Sequence, residues 1–230
     1  MLAKRADAEE LMDADDLDVA TYAAVVHDLA RVNTLTLARR PTINFLDEVC
    51  RRPGAARLRI LDVGFGDGDM LRAIARWAGR RGQPVELVGI DLNPRSAPAA
   101  RHATPADLAI DYRTGDYAGL AAEHWDIVIS SLVAHHMTHA QLVGFMRFMD
   151  SEAHRGWFVN DLHRHGFAWL GYPLLARLMR WHPIVRHDGQ LSIARSYRPA
   201  EWAAILTEAG IDDTRVTRIF PFRLCVAKIR

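Results

Sequence analysis

The sequence predicts an α/β fold built on a parallel sheet. An apolar run at residues 58–63 is followed by a turn with three glycines and then by a helical apolar stripe over residues 71–78. Strand-like and helical segments then alternate as far as residue 161, which implies right-handed crossovers between parallel strands. The 230 residues, half of them apolar, suffice for one sizeable domain with some appended helices.

The glycine-rich turn after the first strand indicates a site for a nucleoside-like ligand. A dinucleotide-binding turn has its third glycine at the sixth position of the motif, where this chain has Asp69, two residues after Asp67. Near a surface, each close contact of a carboxylate with a pyrophosphate costs on the order of 1 kcal/mol or more. The same carboxylates suit a ligand that carries an ammonium and a sulfonium group. The alternative is an incidental glycine-rich turn with no ligand.

The same turn, residues 62–68 with the sequence DVGFGDG, resembles the first motif of the class I S-adenosylmethionine-dependent methyltransferases. Residues 85–94, 112–117 and 125–137 resemble the motifs that follow in that family, in the same order. The resemblance implies S-adenosylmethionine as cofactor and S-adenosylhomocysteine as product. It also implies a doubly wound, seven-stranded, mostly parallel Rossmann-like sheet whose last strand is antiparallel.

Acids at the ends of the predicted strands are the main candidates for cofactor contacts. Asp91 ends the second strand, where an acid can accept both ribose hydroxyls, as the family's acid does. The family uses an acid at the place of Asp116 for the adenine amino group. The alternative for each is a helix N-cap. We assign cofactor binding to Asp62, Gly64, Gly66, Gly68, Asp91, Leu92, Asp116, Tyr117 and Ser131.

Histidines follow the fourth and fifth predicted strands, at the sheet edge where ligands bind in open parallel sheets. Methyl transfer is an in-line displacement that needs alignment and, for an alcohol or phenol, a base. Histidine, with an unperturbed pKa of about 6.5, suits that role. We name His163 and His136 as candidate catalytic residues. Further candidates are His135, His165 and His187, Asp161 orients a histidine or contacts substrate, and a structural role is the alternative for each histidine.

The chain outside the core motifs is predicted to be helical. Residues 1–55 form an N-terminal helical cap, and residues 56–230 form the cofactor-binding domain. In the resembled enzymes such N-terminal helices close over the cofactor, and the alternative is a packing cap on the sheet. An apolar segment within residues 162–196 is predicted to form a helical lid before the last helix. Its Pro173 and Arg177 argue against a membrane span, and a dimer interface is the alternative for this segment.

Composition excludes several classes of protein. A net charge of +1 argues against a dedicated nucleic-acid binder. Cys50 and Cys225 support neither a disulfide framework nor a thiolate metal site, and we predict no metal. The amino terminus is too acidic for a signal peptide, and no apolar run approaches the length of a membrane span. We expect a cytoplasmic monomer or homodimer.

The predicted substrate is a hydrophobic small molecule that bears a hydroxyl, because the lid is apolar and histidines lie beside it. Residues 28–33 and 160–164 resemble bacterial small-molecule methyltransferases of secondary metabolism that act on phenolic or polyketide-like products. We therefore predict O-methylation of an aromatic metabolite. The alternatives are a C-methyltransferase of quinone or polyketide biosynthesis and a catalytically silent cofactor-binding protein.

Overall fold

A computed structural model describes residues 2–14, 16–54 and 56–230. Within these residues it contains a seven-stranded sheet in the order β3-β2-β1-β4-β5-β7-β6. The strands are β1 (Leu58–Val63), β2 (Val85–Asp91), β3 (Asp111–Thr114), β4 (Trp125–Ser131), β5 (Ala153–Leu162), β6 (Arg215–Ile219) and β7 (Arg223–Ile229). β7 runs antiparallel to β5 and β6, and the other neighbouring pairs are parallel. The predicted fold class is confirmed.

Helices pack on both faces of this sheet and line a cavity at the carboxyl ends of its strands. They are α1 (Val19–Leu35), α2 (Arg40–Cys50), α3 (Asp69–Arg81), α4 (Ser96–Ala103), α5 (His139–Glu152), α6 (Gly166–Leu178), α7 (Pro183–Arg195) and α8 (Pro199–Ala209). α6 and α7 occupy the place of the predicted lid. The predicted domain boundary adjoins Ala55, which lies outside the described residues, and the division into cap and domain stays a prediction. Across the described residues, no helix has both the length and the apolar character that crossing a membrane requires.

Alternation along the strands produces two apolar layers. In β1, Leu61 and Val63 pack in the layer that contains α5 and α8, whereas Leu58 and Ile60 pack in the layer that contains α2 and α3. Successive side chains of a strand point to opposite faces, so a strand buried on both sides is apolar at nearly every position. This explains why the central strands read as continuous apolar runs.

A third apolar cluster joins α1 to the two lid helices. Val25 of α1, Ala176 of α6 and Val185 of α7 are buried together with Trp181. The segment before α1 is tied to α7, because the backbone N–H groups of Leu11 and Met12 donate to the carboxylate of Asp188 at 3.0 and 2.9 Å. The N-terminal segment and the lid therefore form one roof over the carboxyl edge of the sheet.

The turn after β1 requires glycine at the two positions where it packs against other segments of the protein. Gly64 has a φ of +76°, and a Cβ there would lie 2.3 Å from Cγ2 of Val133, in the loop after β4. Gly68 has a φ of +77°, and a Cβ there would lie 2.4 Å from the hydroxyl of Tyr112. The two glycines let the turn pack between β3 and the loop after β4.

Close packing of β2 against the turn gives a stability prediction. A Cβ on Gly89 would lie 2.6 Å from Cδ1 of Phe65 and 2.7 Å from Cδ1 of Leu71. Gly89→Ala is expected to lower the free energy of unfolding by about 1–3 kcal/mol, the usual cost of overpacking. Urea denaturation measures it. The matched control is Gly79→Ala on the exposed side of α3, which has open space and should gain up to about 1 kcal/mol.

A Gly89→Ala variant that is as stable as the native chain would contradict the close packing of β2 against the turn.

Candidate active site

A cavity of about 710 Å³ lies over the carboxyl ends of β1, β2 and β4. Its roof is made by α1, α6, α7 and the N-terminal segment, and most of its wall is apolar. The volume is that of a site for a small molecule or cofactor. Seven of the nine predicted cofactor residues line it: Asp62, Gly64, Gly66, Asp91, Leu92, Tyr117 and Ser131.

Two predicted cofactor residues do not line the cavity. Gly68 packs against Tyr112, as described above. Asp116 is exposed and caps the short 3-10 helix Tyr117–Leu120, where its carboxylate accepts from the N–H of Ala118 at 2.9 Å. The capping role that we gave as the alternative is the one that the side chain of Asp116 has in this structure.

Asp91 connects the end of β2 to the glycine turn. One carboxylate oxygen accepts from the N–H of Gly66 and the other from the N–H of Asn93, each at 2.9 Å. Ser96, which is bonded to the hydroxyl of Tyr22 on α1, also interacts with this carboxylate. Burial raises the pKa of Asp91, and these hydrogen bonds oppose that rise. Each oxygen can still accept another bond, so a pair of ligand hydroxyls fits here.

Asp62 is a buried acid in the cavity wall. Its side chain is 1% exposed, and neither carboxylate oxygen has a hydrogen-bond partner among the described residues. Burial, and then the carboxylates of Asp69 and Asp91, raises the pKa of Asp62 well above its usual range. A buried carboxylate without a partner is costly, and a cationic ligand group in the cavity would supply the missing charge.

The two acids of the turn are paired with arginines. Asp67 lies 3.0 Å from the guanidinium of Arg72, and Asp69 lies 3.0 Å from that of Arg39. Because an arginine lies beside each of them, Asp67 and Asp69 repel a pyrophosphate less than the sequence predicts. Asp62 and Asp91 still disfavour a pyrophosphate at this end of the cavity.

His135 is enclosed between two carboxylates. Its Nδ1 lies 2.7 Å from Oδ1 of Asp161, and its Nε2 lies 3.6 Å from Oε1 of Glu10. Burial disfavours charge on the ring, but Asp161 and Glu10 outweigh burial and raise the pKa of His135 to about 9. Burial would raise the pKa of Glu10, but His135, His136 and Ser192 lower it to about 2. Of the two roles expected for Asp161, orienting a histidine is the one that the structure shows.

His136 follows at the same wall but is only partly enclosed. Its Nδ1 lies 3.1 Å from Oδ2 of Asp13, its Nε2 lies 3.9 Å from Oε2 of Glu10, and 29% of its side chain is exposed. Both histidines line the cavity, on the short 3-10 helix Ala134–His136 after β4.

The other predicted histidines lie outside the cavity. The backbone of His163 pairs with that of Tyr197, and burial and the nearby charge of Arg218 lower its pKa. His165 caps α6, and His187 lies beside Asp188. None of the three lines the cavity wall in the described part of the chain. The structure therefore does not bring His163 together with His136.

Sequence reasoning missed the N-terminal contribution to the site. Glu10 and Asp13 line the cavity and contact the histidine pair, although they lie far from it in sequence. Arg39 was also missed as the partner of Asp69. No spacing or local pattern in the segment before α1 signals these contacts, because they depend on how the chain folds back over α7.

Comparison with known proteins shows which family the core of the chain resembles. Residues 60–151, which hold the glycine turn, Asp91 and the histidine pair, match the family described as "Methyltransferase domain". The ubiquinone biosynthesis O-methyltransferase of Bartonella quintana (strain Toulouse) is 32% identical over 168 residues, which are 70% of this chain and 64% of that protein. Residues 60–151 therefore form a methyltransferase domain, and the chain is similar to the class I S-adenosylmethionine-dependent methyltransferases.

The alignments with these curated relatives leave more than a third of each relative uncovered. The enzyme of the same name from Cereibacter sphaeroides (strain KD131 / KCTC 12085) is 30% identical over 161 residues, which are 67% of this chain and 60% of that protein. The chain thus spans less than two thirds of the length of these two curated relatives.

Solved structures of methyltransferases have the same fold. The magnesium protoporphyrin IX methyltransferase of Synechocystis PCC 6803 matches with a TM-score of 0.58 and 18% identity, over 95% of this chain and 91% of that one. A SAM-dependent methyltransferase of Aquifex aeolicus matches with a TM-score of 0.62 and 16% identity, over 92% and 98%. At these identities the likeness concerns the fold alone.

Proposed function

We propose that this methyltransferase transfers a methyl group from S-adenosylmethionine to a hydroxyl oxygen of a hydrophobic, aromatic small molecule. The observation that carries the proposal is a single cavity whose wall includes both the glycine turn with Asp91 and the histidine pair. A donor held at one end and an acceptor held at the other would meet inside it, which is what an in-line displacement needs.

The donor end fits the charge and shape of S-adenosylmethionine, which supplies the methyl group when bound. The carboxylate of Asp91 is placed to accept ribose hydroxyls, and the unpartnered carboxylate of Asp62 suits a cationic group. Nothing lies within 4 Å of the position that a Cβ of Gly66 would take, so a ligand can approach the backbone there. Tyr117, which begins the short 3-10 helix after β3, adds an aromatic ring to the cavity wall.

The cavity that contains the histidine pair has a largely apolar wall. Val26 and Leu29 of α1, Leu175 of α6 and Ile193 of α7 contribute to it. Burial of such a wall favours an apolar ligand by about 25 cal/mol per Å² of apolar surface removed from water. The ubiquinone biosynthesis O-methyltransferases named above act in the formation of a quinone, and their name is consistent with a hydroxyl acceptor.

His136 is the histidine at which we propose that the acceptor hydroxyl is activated. His135 is enclosed by Asp161 and Glu10, so we assign its ring a structural role in the cavity wall. The side chain of His136 is partly exposed and lines the cavity. Side chains of α1, α6 and α7 line the same cavity, and these helices would exclude water from the path once donor and acceptor are bound.

The test is turnover with methyl-¹³C-labelled S-adenosylmethionine and a panel of phenols, followed by NMR of the product. An O-methyl carbon signal is expected. A C-methyl signal would support the quinone or polyketide C-methyltransferase instead. Cofactor binding without turnover across the panel would favour a silent binding protein, and binding of a nicotinamide dinucleotide in place of S-adenosylmethionine would contradict the proposal.

Two histidine variants test the acceptor end. His136→Ala is expected to lower kcat by about 10²–10⁴, the usual contribution of a group that assists proton removal. His163→Ala should keep kcat within a few-fold, because His163 does not line the cavity. Steady-state rates and melting temperatures are measured for both, with His102→Ala on the exposed surface of α4 as the control. Loss of turnover in His163→Ala at unchanged melting temperature would contradict this placement.

The metabolic role, the cellular location and the oligomeric state remain predictions. A role in secondary metabolism has no support from relatives named for ubiquinone biosynthesis. The cytoplasmic location and the monomeric or homodimeric state are expectations from sequence.

A further inference from the structure

We propose that Glu10, His135 and His136 form a binding site for a divalent transition metal ion, with Zn²⁺ as the reference ion. One oxygen or nitrogen atom from each residue lies within 4.8 Å of the other two. Oε1 of Glu10 lies 3.6 Å from Nε2 of His135, and Oε2 of Glu10 lies 3.9 Å from Nε2 of His136. The cluster faces the acceptor end of the cavity.

The donor set suits such an ion. Two imidazoles and one carboxylate bind Zn²⁺ in open sites that leave a position for water or substrate, and a similar set binds Fe²⁺. Metal–ligand bonds of about 2.0–2.2 Å place ligand atoms roughly 3.0–3.5 Å apart. Small side-chain movements would therefore bring the three atoms around one ion.

Each histidine has a carboxylate on its other ring nitrogen. Nδ1 of His135 lies 2.7 Å from Asp161, and Nδ1 of His136 lies 3.1 Å from Asp13. Metal-binding histidines almost always donate their second N–H to such a group, which fixes the ring and leaves Nε2 for the ion. Both Nε2 atoms here are directed to the same carboxylate, that of Glu10.

The cluster is held from outside by hydrogen bonds. The N–H of His135 donates to Asp161 at 2.8 Å, and the guanidinium of Arg5 donates to the carbonyl of His135 at 3.0 Å. Ser192 of α7 donates its hydroxyl proton to Glu10 at 2.8 Å. Arg195 approaches Oε1 of Glu10 only at 3.9 Å, too far for a hydrogen bond, and donates instead to the carbonyl of His135 at 3.3 Å.

An ion pair without a metal explains only part of this arrangement. A protonated His135 between Asp161 and Glu10 accounts for those three side chains. It does not account for His136, which directs one ring nitrogen to Glu10 and the other to Asp13. Two histidines with separate supporting carboxylates and one shared carboxylate are what a metal site needs.

The open positions of the site would face the acceptor, and this step rests on the proposed function. A hydroxyl oxygen held beside a divalent cation loses its proton to water more readily, because the cation stabilises the oxyanion. His136 would then assist removal of the hydroxyl proton by holding the ion beside the oxygen. The ligand class at these positions is an oxygen donor, such as a phenol.

Metal binding is measured without turnover, on the full chain after dialysis against a chelator. Calorimetric titration with ZnCl₂ is expected to give one site with a dissociation constant in the micromolar range or below, and CoCl₂ should give d–d absorption bands. Glu10→Gln and His136→Ala should each weaken binding at least 10-fold. Asp161→Asn should weaken it by about 10–100-fold through the orientation of His135. His102→Ala, on the surface, should bind as the native chain does.

Absence of stoichiometric Zn²⁺ binding by the native chain would overturn the proposal. So would binding that neither Glu10→Gln nor His136→Ala changes, provided that the melting temperatures show folded protein; His136→Gln serves if the alanine variant does not fold. The catalytic step is separate. If the ion binds but methyl transfer is the same with and without chelator, the site stands and its role in the reaction fails. If no methyl transfer is found at all, the binding result still decides the site.

Discussion

Asp91→Ala is expected to weaken binding of S-adenosylmethionine at least 100-fold. The variant loses an acceptor for two ribose hydroxyls, and it also frees the N–H groups of Gly66 and Asn93 that shape the turn. Two hydrogen bonds to a charged group contribute about 1.5–3 kcal/mol each, and every 1.4 kcal/mol is tenfold in affinity. Isothermal titration with S-adenosylmethionine and S-adenosylhomocysteine measures the loss.

The control for this variant is Asp107→Ala. Asp107 is an exposed acid on the loop between α4 and β3 and does not line the cavity, so the cofactor affinity should be unchanged. Melting temperatures of both variants separate a lost contact from a lost fold. An Asp91→Ala variant that binds as tightly as the native chain would show that the ribose lies elsewhere.

Asp62→Asn is expected to make the free protein more stable and the cofactor complex weaker. The native carboxylate is buried without a partner, and burial of an unpaired polar group costs about 1–3 kcal/mol or more when it is charged. The amide removes the part of that cost that is due to charge, but it also removes the partner for a cationic ligand. The expected result is a melting temperature several degrees higher and an affinity for S-adenosylmethionine at least 10-fold lower.

The pH dependence of this gain has a definite sign. The pKa of Asp62 is higher in the folded than in the unfolded chain, so the native carboxyl destabilises the fold above its unfolded pKa of about 3.9. The advantage of Asp62→Asn should be small near pH 4 and grow as pH rises towards the folded pKa. Thermal unfolding of both proteins across this range measures it. An advantage that shrinks with rising pH would contradict the burial of an unpaired carboxylate.

The sheet and the donor end were predictable because their signals are local. The apolar runs and the glycines between them fix strands and turns within a few residues. Asp91 could be placed because it ends a strand, and ends of parallel strands share one edge. For Asp116 the local signal leaves two roles open: its carboxylate caps the following 3-10 helix at the N–H of Ala118, and its contact with the cofactor stays a prediction.

The acceptor end could be predicted only in part because it is assembled from distant segments. Glu10 reaches the histidine pair only because α7 holds the N-terminal segment through Asp188 and Ser192. The sequence predicts His163 beside the cavity because it directly follows β5, but its side chain does not line the cavity wall in this structure. Its backbone pairs there with Tyr197, and the next residue, Arg164, binds the carbonyl of Ser196.

The most direct measurement is a crystal structure of the chain with S-adenosylhomocysteine bound. We expect the ribose hydroxyls within about 2.5–3.0 Å of the carboxylate oxygens of Asp91. The amino-acid part of the ligand should lie at Asp62, and its sulfur should face the half of the cavity that contains His136. A ligand bound with its ribose away from Asp91, or with its sulfur turned from the histidine pair, would contradict the claim that donor and acceptor meet in this cavity.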